Sequence, residues 1–339
     1  MLDLGRRREI PPARGKLVAQ GKDPAGAKAA AKAAPTVADL ARRFLAEHAE
    51  AKRKASTAIE YRRLLDKIIL PALGTKRAAD VTRQDVQRLH FAQRATPIGA
   101  NHALACLSTM FNLAERWGER PDGSNPCRHV EKYPQRKRER FLSPDELARL
   151  GDVLAAYGGS GKLYAVAAIK LLVFTGARLG EILGLKWEWV DFARGEVRLP
   201  DSKTGAKTLH LPPPALEVLA ALPRVAGNPY VIVGGKPGAA LVNIGQPWGV
   251  IRKAAGLQDV RIHDLRHSFA SIAASGGMGL PIIGKMLGHT QAQTTQRYAH
   301  LASDPVKAAA ATVAQKIAAA MNGKGEGAAV VKLRRDATP

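Results

Sequence analysis

HDLRHSFAS, residues 263–271, places His263, Arg266, His267, Ser268 and Ser271 within nine positions. Histidines at i and i+4 share one face of a helix and can hold a metal ion together. In its zinc-hydrolase form that arrangement needs a third protein ligand and a carboxylate able to act as base. Here the residue after the first histidine is Asp264, which reaches less far, and Arg266 would sit one turn from a divalent cation and repel it. Arginine beside histidine suits an anion instead. Its planar fork of donors matches phosphate oxygens, and imidazole donates a hydrogen bond or carries a proton. The stretch reads as a phosphate-handling helix, with no metal and no cofactor expected.

Working outward, three further stretches concentrate charged or hydroxyl residues where the surrounding pattern is apolar. They are TGARLGEIL (175–183), SKTG (202–205) and LGHTQAQTTQRYAH (287–300). Each has an ordinary structural explanation when taken alone. Arg178 and Glu181 are spaced to pair on one helical face. Lys203 would be a lysine at a hairpin tip, His289 a residue after a glycine that stops a helix, and Tyr298 an amphipathic aromatic on a helix.

In this order and at this separation the four stretches resemble the tyrosine recombinases, the phage-type integrases. TGARLGEIL resembles the family's first arginine box and HDLRHSFAS its second. LGHT, with a tyrosine nine residues after its histidine, resembles the C-terminal box, and SKTG the lysine-bearing hairpin. The resemblance covers about residues 36–320. It implies a helical core-binding domain followed by an α+β catalytic domain, and a site-specific DNA recombinase that integrates or excises a mobile element through a 3′-phosphotyrosine intermediate.

The implied roles fit the residue types. A strand broken without metal or nucleotide needs a nucleophile whose adduct conserves the phosphodiester energy, and Tyr298 supplies that oxygen. Arg178 and Arg266 present forks to the developing charge, and His289 is a further donor by the family match. Lys203 is the implied general acid, and His263 the proton-handling partner near the tyrosine. Glu181 would orient Arg178, while His267 and Ser271 would pack or support rather than react. Two alternatives keep parts of this chemistry: a type IB topoisomerase-like enzyme that relaxes supercoils, and a DNA-binding regulator without catalysis.

Composition agrees with a polyanionic partner. Among 339 residues, 52 Lys and Arg face 29 Asp and Glu, a net charge of +23. An excess of that size repels itself unless something neutralises it. Double-stranded DNA is the expected partner. The resemblance implies a homotetramer in the synaptic assembly, a monomer or weak oligomer when free, and accessory DNA-bending or directionality factors. No run of eighteen apolar residues is present and MLDLGRRREIPPARG lacks a secretion signal's apolar core, so no membrane association and a cytoplasmic, nucleoid-associated location are expected. The two cysteines, Cys106 and Cys127, read as small, partly buried reduced thiols.

Periodicity divides the chain. Residues 1–35 read as a basic arm, for which the resemblance implies the remnant of an arm-binding domain. Residues 36–131 carry four helical stripes, the first capped by Thr36 and Asp39, the second opened by Ser56 and closed by Pro71, the third opened by Thr82 and Asp85. A basic linker, 132–140, offers Arg136, Lys137, Arg138 and Arg140 to a phosphate backbone. Residues 141–320 form the predicted catalytic domain, opened by Ser143, Pro144 and Glu146, and 321–339 a tail. Two strands are predicted around Val197 and Leu209, joined by a turn at Ser202 to Gly205. The fold class is therefore mainly α with a small antiparallel β-sheet.

Overall fold

The computed structural model describes residues 34–135, 138–158, 162–201, 205–301 and 305–321. Arg136, Lys137 and Lys203 lie outside them, as do residues 1–33 of the arm and 322–339 of the tail. The chain divides into two compact units, Met1–Lys137 and Arg138–Pro339, with the break inside the basic stretch.

The first unit is built from helices. α1 (Val37–Phe44) starts at Thr36, whose hydroxyl accepts from the Asp39 N–H while the Asp39 carboxylate accepts from the Thr36 N–H. This is the reciprocal cap read from the sequence. α2 (Ala55–Leu64) begins one residue before Ser56 and without a side-chain cap. Nor does the chain stop at Pro71: a wide π turn over Leu65–Ile69, closed by Leu70 donating to Leu65, leads into α3 (Leu70–Leu73). Pro71 then falls in the first turn of a short helix, where its missing N–H has no partner to lose. α4 (Arg83–Ala92), capped by Thr82 and Asp85, and α5 (Pro97–Arg116) complete the unit. Phe44, Leu65, Ile69, Leu107, Met110 and Phe111 lie at its core. Buried Asn101 accepts from the Tyr133 N–H and donates to the Tyr133 carbonyl, so the chain leaves this unit from a fixed point.

The second unit opens with α6 (Pro144–Tyr157), which carries the Ser143–Glu146 capping box. α7 (Leu163–Thr175) is apolar on nearly every side and is the buried central helix, with Ala168, Ile169 and Leu171 fully covered. After α8 (Leu179–Leu183) come three antiparallel strands, β1 (Val190–Asp191), β2 (Glu196–Leu199) and β3 (Lys207–His210), in that order, with Val197 opposite Leu209. The sequence reading has only the last two. A strand of two residues is too short to show a period, which is why β1 escapes it.

Helices α9 (Pro213–Ala220), α10 (Gly245–Ala254), α11 (Ile262–Ser275), α12 (Leu280–Leu287), α13 (Ala292–Gln296) and α14 (Pro305–Met321) follow. The architecture is mainly helical with one small sheet. Among the described residues no helix is long and apolar enough to cross a membrane.

Candidate active site

Two glycines with left-handed backbones build the floor of the site. α7 ends at Gly176, φ +61°, and α12 ends at Gly288, φ +67°. Each reverses the chain and turns a carbonyl inward. Arg266, on α11 and buried, donates from one guanidinium nitrogen to the Gly176 carbonyl at 2.7 Å and from the other to the Leu287 carbonyl at 2.7 Å. Arg178 donates to the Gly288 carbonyl at 3.2 Å and to Glu181 at 2.9 Å. The carbonyl ends of two helices thus face the guanidinium of Arg266, the favourable sense for a cation at a helix C-terminus. Burial, reinforced by the charge of Arg178, brings Arg266 down to about 10, so it stays protonated at neutral pH.

Side chains of both glycines are excluded by neighbours as well as by φ. A Cβ on Gly176 would stand 2.5 Å from Phe269 Cδ1, and one on Gly288 2.9 Å from Lys207 Cδ. Lys207, at the start of β3, runs past Gly288 and places its Nζ 2.7 Å from Glu181 Oε2. Burial lowers the basicity of Lys207 despite that pairing. Burial alone would raise the Glu181 carboxyl, yet hydrogen bonds from Lys207 and the Arg178 N–H hold it below the usual carboxylate range. One carboxylate therefore steadies two cations, Arg178 from its own helix and Lys207 from the sheet.

His289 and Tyr298 come from the segment after α12. His289 Nδ1 meets the Thr295 hydroxyl at 2.9 Å. Thr295 is buried, and Gly284 makes room for it: a Cβ there would lie 2.9 Å from Thr295 Oγ1. The Thr295 carbonyl accepts from the Tyr298 N–H at 3.0 Å, so one residue holds both the histidine ring and the tyrosine backbone. Burial first, then the charges of Arg266 and Arg178, brings His289 to about 4, leaving a neutral ring at physiological pH.

Tyr298 is only 5% exposed, and its hydroxyl lies 2.6 Å from His267 Nδ1. Burial pushes its pKa up from the usual value. His263 stands against His267 edge to face, ring centroids 4.9 Å apart, and itself lies towards solvent. Desolvation by the surrounding protein and the charge of Arg266 lower the basicity of His263. Asp264 caps its own helix by accepting from the Arg261 N–H at 2.8 Å. Among the described residues no three His, Cys, Asp or Glu side chains stand together as metal ligands.

The sequence-predicted residues Arg178, Glu181, His263, Arg266, His267, His289 and Tyr298 thus gather within the second unit. Lys203 lies outside the described residues. Of the linker cations, Arg138 pairs with Asp259 at 3.7 Å, and Arg140 is held by Glu146 at 2.6 Å and Asp259 at 2.7 Å. Arg140 fastens the start of the second unit, a role that a run of charge does not disclose. Three participants went unread. Lys207 stands four residues after the lysine of SKTG and looks like its exposed twin. Thr295 is one of several hydroxyls in LGHTQAQTTQRYAH. Ser268 accepts from the Leu142 N–H at 2.8 Å and donates to the Asp264 carbonyl, tying the start of the unit to α11.

A family model described as the phage integrase family matches residues 140–304. The chain is 30% identical over 205 residues to a shufflon-specific DNA recombinase of Escherichia coli, covering 58% of this chain and 50% of that one. It is 29% identical over 207 residues to a tyrosine recombinase of Thermosipho africanus, covering 59% and 70%. The chain thus spans half the length of the first relative. Among solved structures, a lambda integrase tetramer bound to a Holliday junction is similar with a TM-score of 0.62 at 19% identity, covering 86% of this chain and 90% of that one. That likeness is one of fold.

Proposed function

We propose, from the premise that this chain belongs to the phage integrase family through residues 140–304, that it is a site-specific recombinase of double-stranded DNA. Tyr298 attacks a backbone phosphate, forms a 3′-phosphotyrosine and frees a 5′-hydroxyl, which then attacks a partner strand. The observation that carries this reading is the pair of arginines locked by inward carbonyls in the unit that also buries Tyr298 against His267. Guanidinium groups held before substrate arrives need no reorganisation when charge develops on the phosphate oxygens.

His289 donates a further hydrogen bond to that phosphate, and Lys203 protonates the leaving 5′ oxygen. His263 handles protons at the open side of the site. Arg136, Lys137 and Arg138 meet the DNA backbone, whereas Arg140 acts through Glu146 and Asp259. Four protomers assemble when two sites are brought together, in line with the tetrameric relative on a four-way junction.

A nicked substrate that loses its 5′ fragment tests the reading. The wild type should accumulate a covalent adduct mapping to Tyr298 without magnesium or ATP. Tyr298→Phe should bind the same DNA with near-normal affinity, since the ring and every cationic donor survive, yet form no adduct. An adduct that persists in the Phe variant, or that maps elsewhere, overturns the mechanism.

A further inference from the structure

The proton of Tyr298 has to go somewhere before or as its oxygen reaches phosphorus, and the surrounding cations cannot take it. Arginine has no acceptor, and protonated Lys207 has none either. Both oxygens of Glu181 are already engaged, one by the Arg178 guanidinium and the other by Lys207 and the Arg178 N–H. The Nδ1 of His289 is turned to Thr295. His263 stands edge to face against the ring of His267, with 4.9 Å between centroids.

We propose that His267 is a catalytic residue, the general base that receives the Tyr298 proton at Nδ1, its geometry being the 2.6 Å contact between that nitrogen and the buried hydroxyl. The proposal rests on the recombinase reading and replaces neither the acid nor the phosphate donors. The neutral ring carries its proton on Nε2 and presents Nδ1 as acceptor. On attack, the Tyr298 O–H bond breaks as the P–O bond to tyrosine forms, and the proton passes to Nδ1. The P–O5′ bond breaks with its electron pair on the 5′ oxygen, which is protonated by the general acid. In rejoining, a 5′-hydroxyl attacks phosphorus and gives its proton to the conjugate base of the general acid, the tyrosine oxygen leaves, and the imidazolium returns its proton to that oxygen.

The surroundings keep the free ring unprotonated. Facing His267 are His263, Asp264 and Arg266 on its own helix, Arg297, Tyr298 and His300 on the C-terminal segment, and Arg138, Glu139 and Arg140 at the start of the unit. Burial, then the charge of His263, lowers its basicity to about 4, with Asp264 opposing. A base available only when unprotonated makes the rate fall as pH drops through its pKa. The acid limb of the wild-type cleavage profile should therefore lie below the ordinary histidine value of about 6.5.

The test is single-turnover cleavage of the nicked substrate against pH, for wild type, His267→Asn and His263→Asn. Asparagine offers an oxygen near the position of Nδ1 and keeps the hydrogen bond, but cannot take the proton. His267→Asn should bind the DNA normally, cleave about 10²–10⁴-fold more slowly and lose the acid limb, while His263→Asn, though slower than wild type, keeps it. Absence of a wild-type adduct would sink the recombinase reading itself. A wild-type adduct with His267→Asn at full rate, or an acid limb that vanishes with His263 instead, overturns only the role of His267. Nitrogen-15 chemical shifts of the wild-type ring give a check that needs no variant: Nδ1 should be unprotonated at neutral pH, and a proton found on Nδ1 overturns the assignment.

Discussion

At the scale of single residues, Arg178, Arg266, His289 and Tyr298 each have a partner that fixes their direction. Thr295 is the clearest case, because its hydroxyl sets the His289 ring while its carbonyl holds the Tyr298 backbone. Thr295→Val keeps the shape and removes only the hydroxyl. A neutral hydrogen bond contributes about 1 kcal/mol, so cleavage should slow by about fivefold with DNA affinity unchanged, and Thr295→Ser should restore most of the rate. Equal rates in all three proteins would show that the hydroxyl does not orient His289. The charged and aromatic members of this site were legible in the sequence because arginine, histidine and tyrosine are conspicuous in apolar surroundings. Thr295 and Lys207 were not. Their importance lies in which atom they meet across the fold, and a surface threonine or lysine has the same spelling.

At the scale of elements, the arginines depend on how two helices end. Gly176 and Gly288 were visible as residues, and a glycine after an apolar stripe is a helix stop. What the pattern could not show is that both ends turn their carbonyls on the same pair of guanidinium groups. Helix starts were read more reliably than stops, since the Thr36, Thr82 and Ser143 caps are local hydrogen bonds between neighbours in sequence. Pro71 misled the reading because the π turn before it is a property of packing, not of local spelling. Gly176→Ala tests the glycine argument. It places a side chain in the left-handed region and drives a Cβ to 2.5 Å from Phe269. The cost should be about 2–5 kcal/mol, the sum of the backbone penalty and overpacking, seen as a lower urea midpoint. Because the Gly176 carbonyl would shift with it, cleavage should fall beyond what the lost stability explains. A variant as stable and active as wild type would mean that the turn tolerates a side chain.

For the whole molecule, the unbalanced charge of +23 is the dominant fact, and it bears on affinity more than on fold. The structure separates cations already satisfied by protein from those left for a partner. Arg140, between Glu146 and Asp259, belongs to the first kind, and so do Arg178 and Lys207 around Glu181. Pairing of this sort is local, so the large remainder still has to be neutralised by counterions or by DNA. If about 6–10 phosphates are contacted, affinity for a duplex should fall about 10³–10⁵-fold between 50 and 200 mM salt, because each contact releases condensed counterions. Arg138→Ala, whose partly exposed guanidinium would exchange Asp259 for a phosphate, should lower the slope of that dependence by about one contact for any sequence. Arg140→Ala should instead leave the slope unchanged and loosen the start of the second unit, since two carboxylates lose their shared partner. Titrating both variants over a salt series by fluorescence anisotropy separates the cases. Identical slopes for wild type and Arg138→Ala would remove that arginine from the DNA-contacting set, and a flatter slope for Arg140→Ala would show that DNA draws its guanidinium away from Glu146 and Asp259.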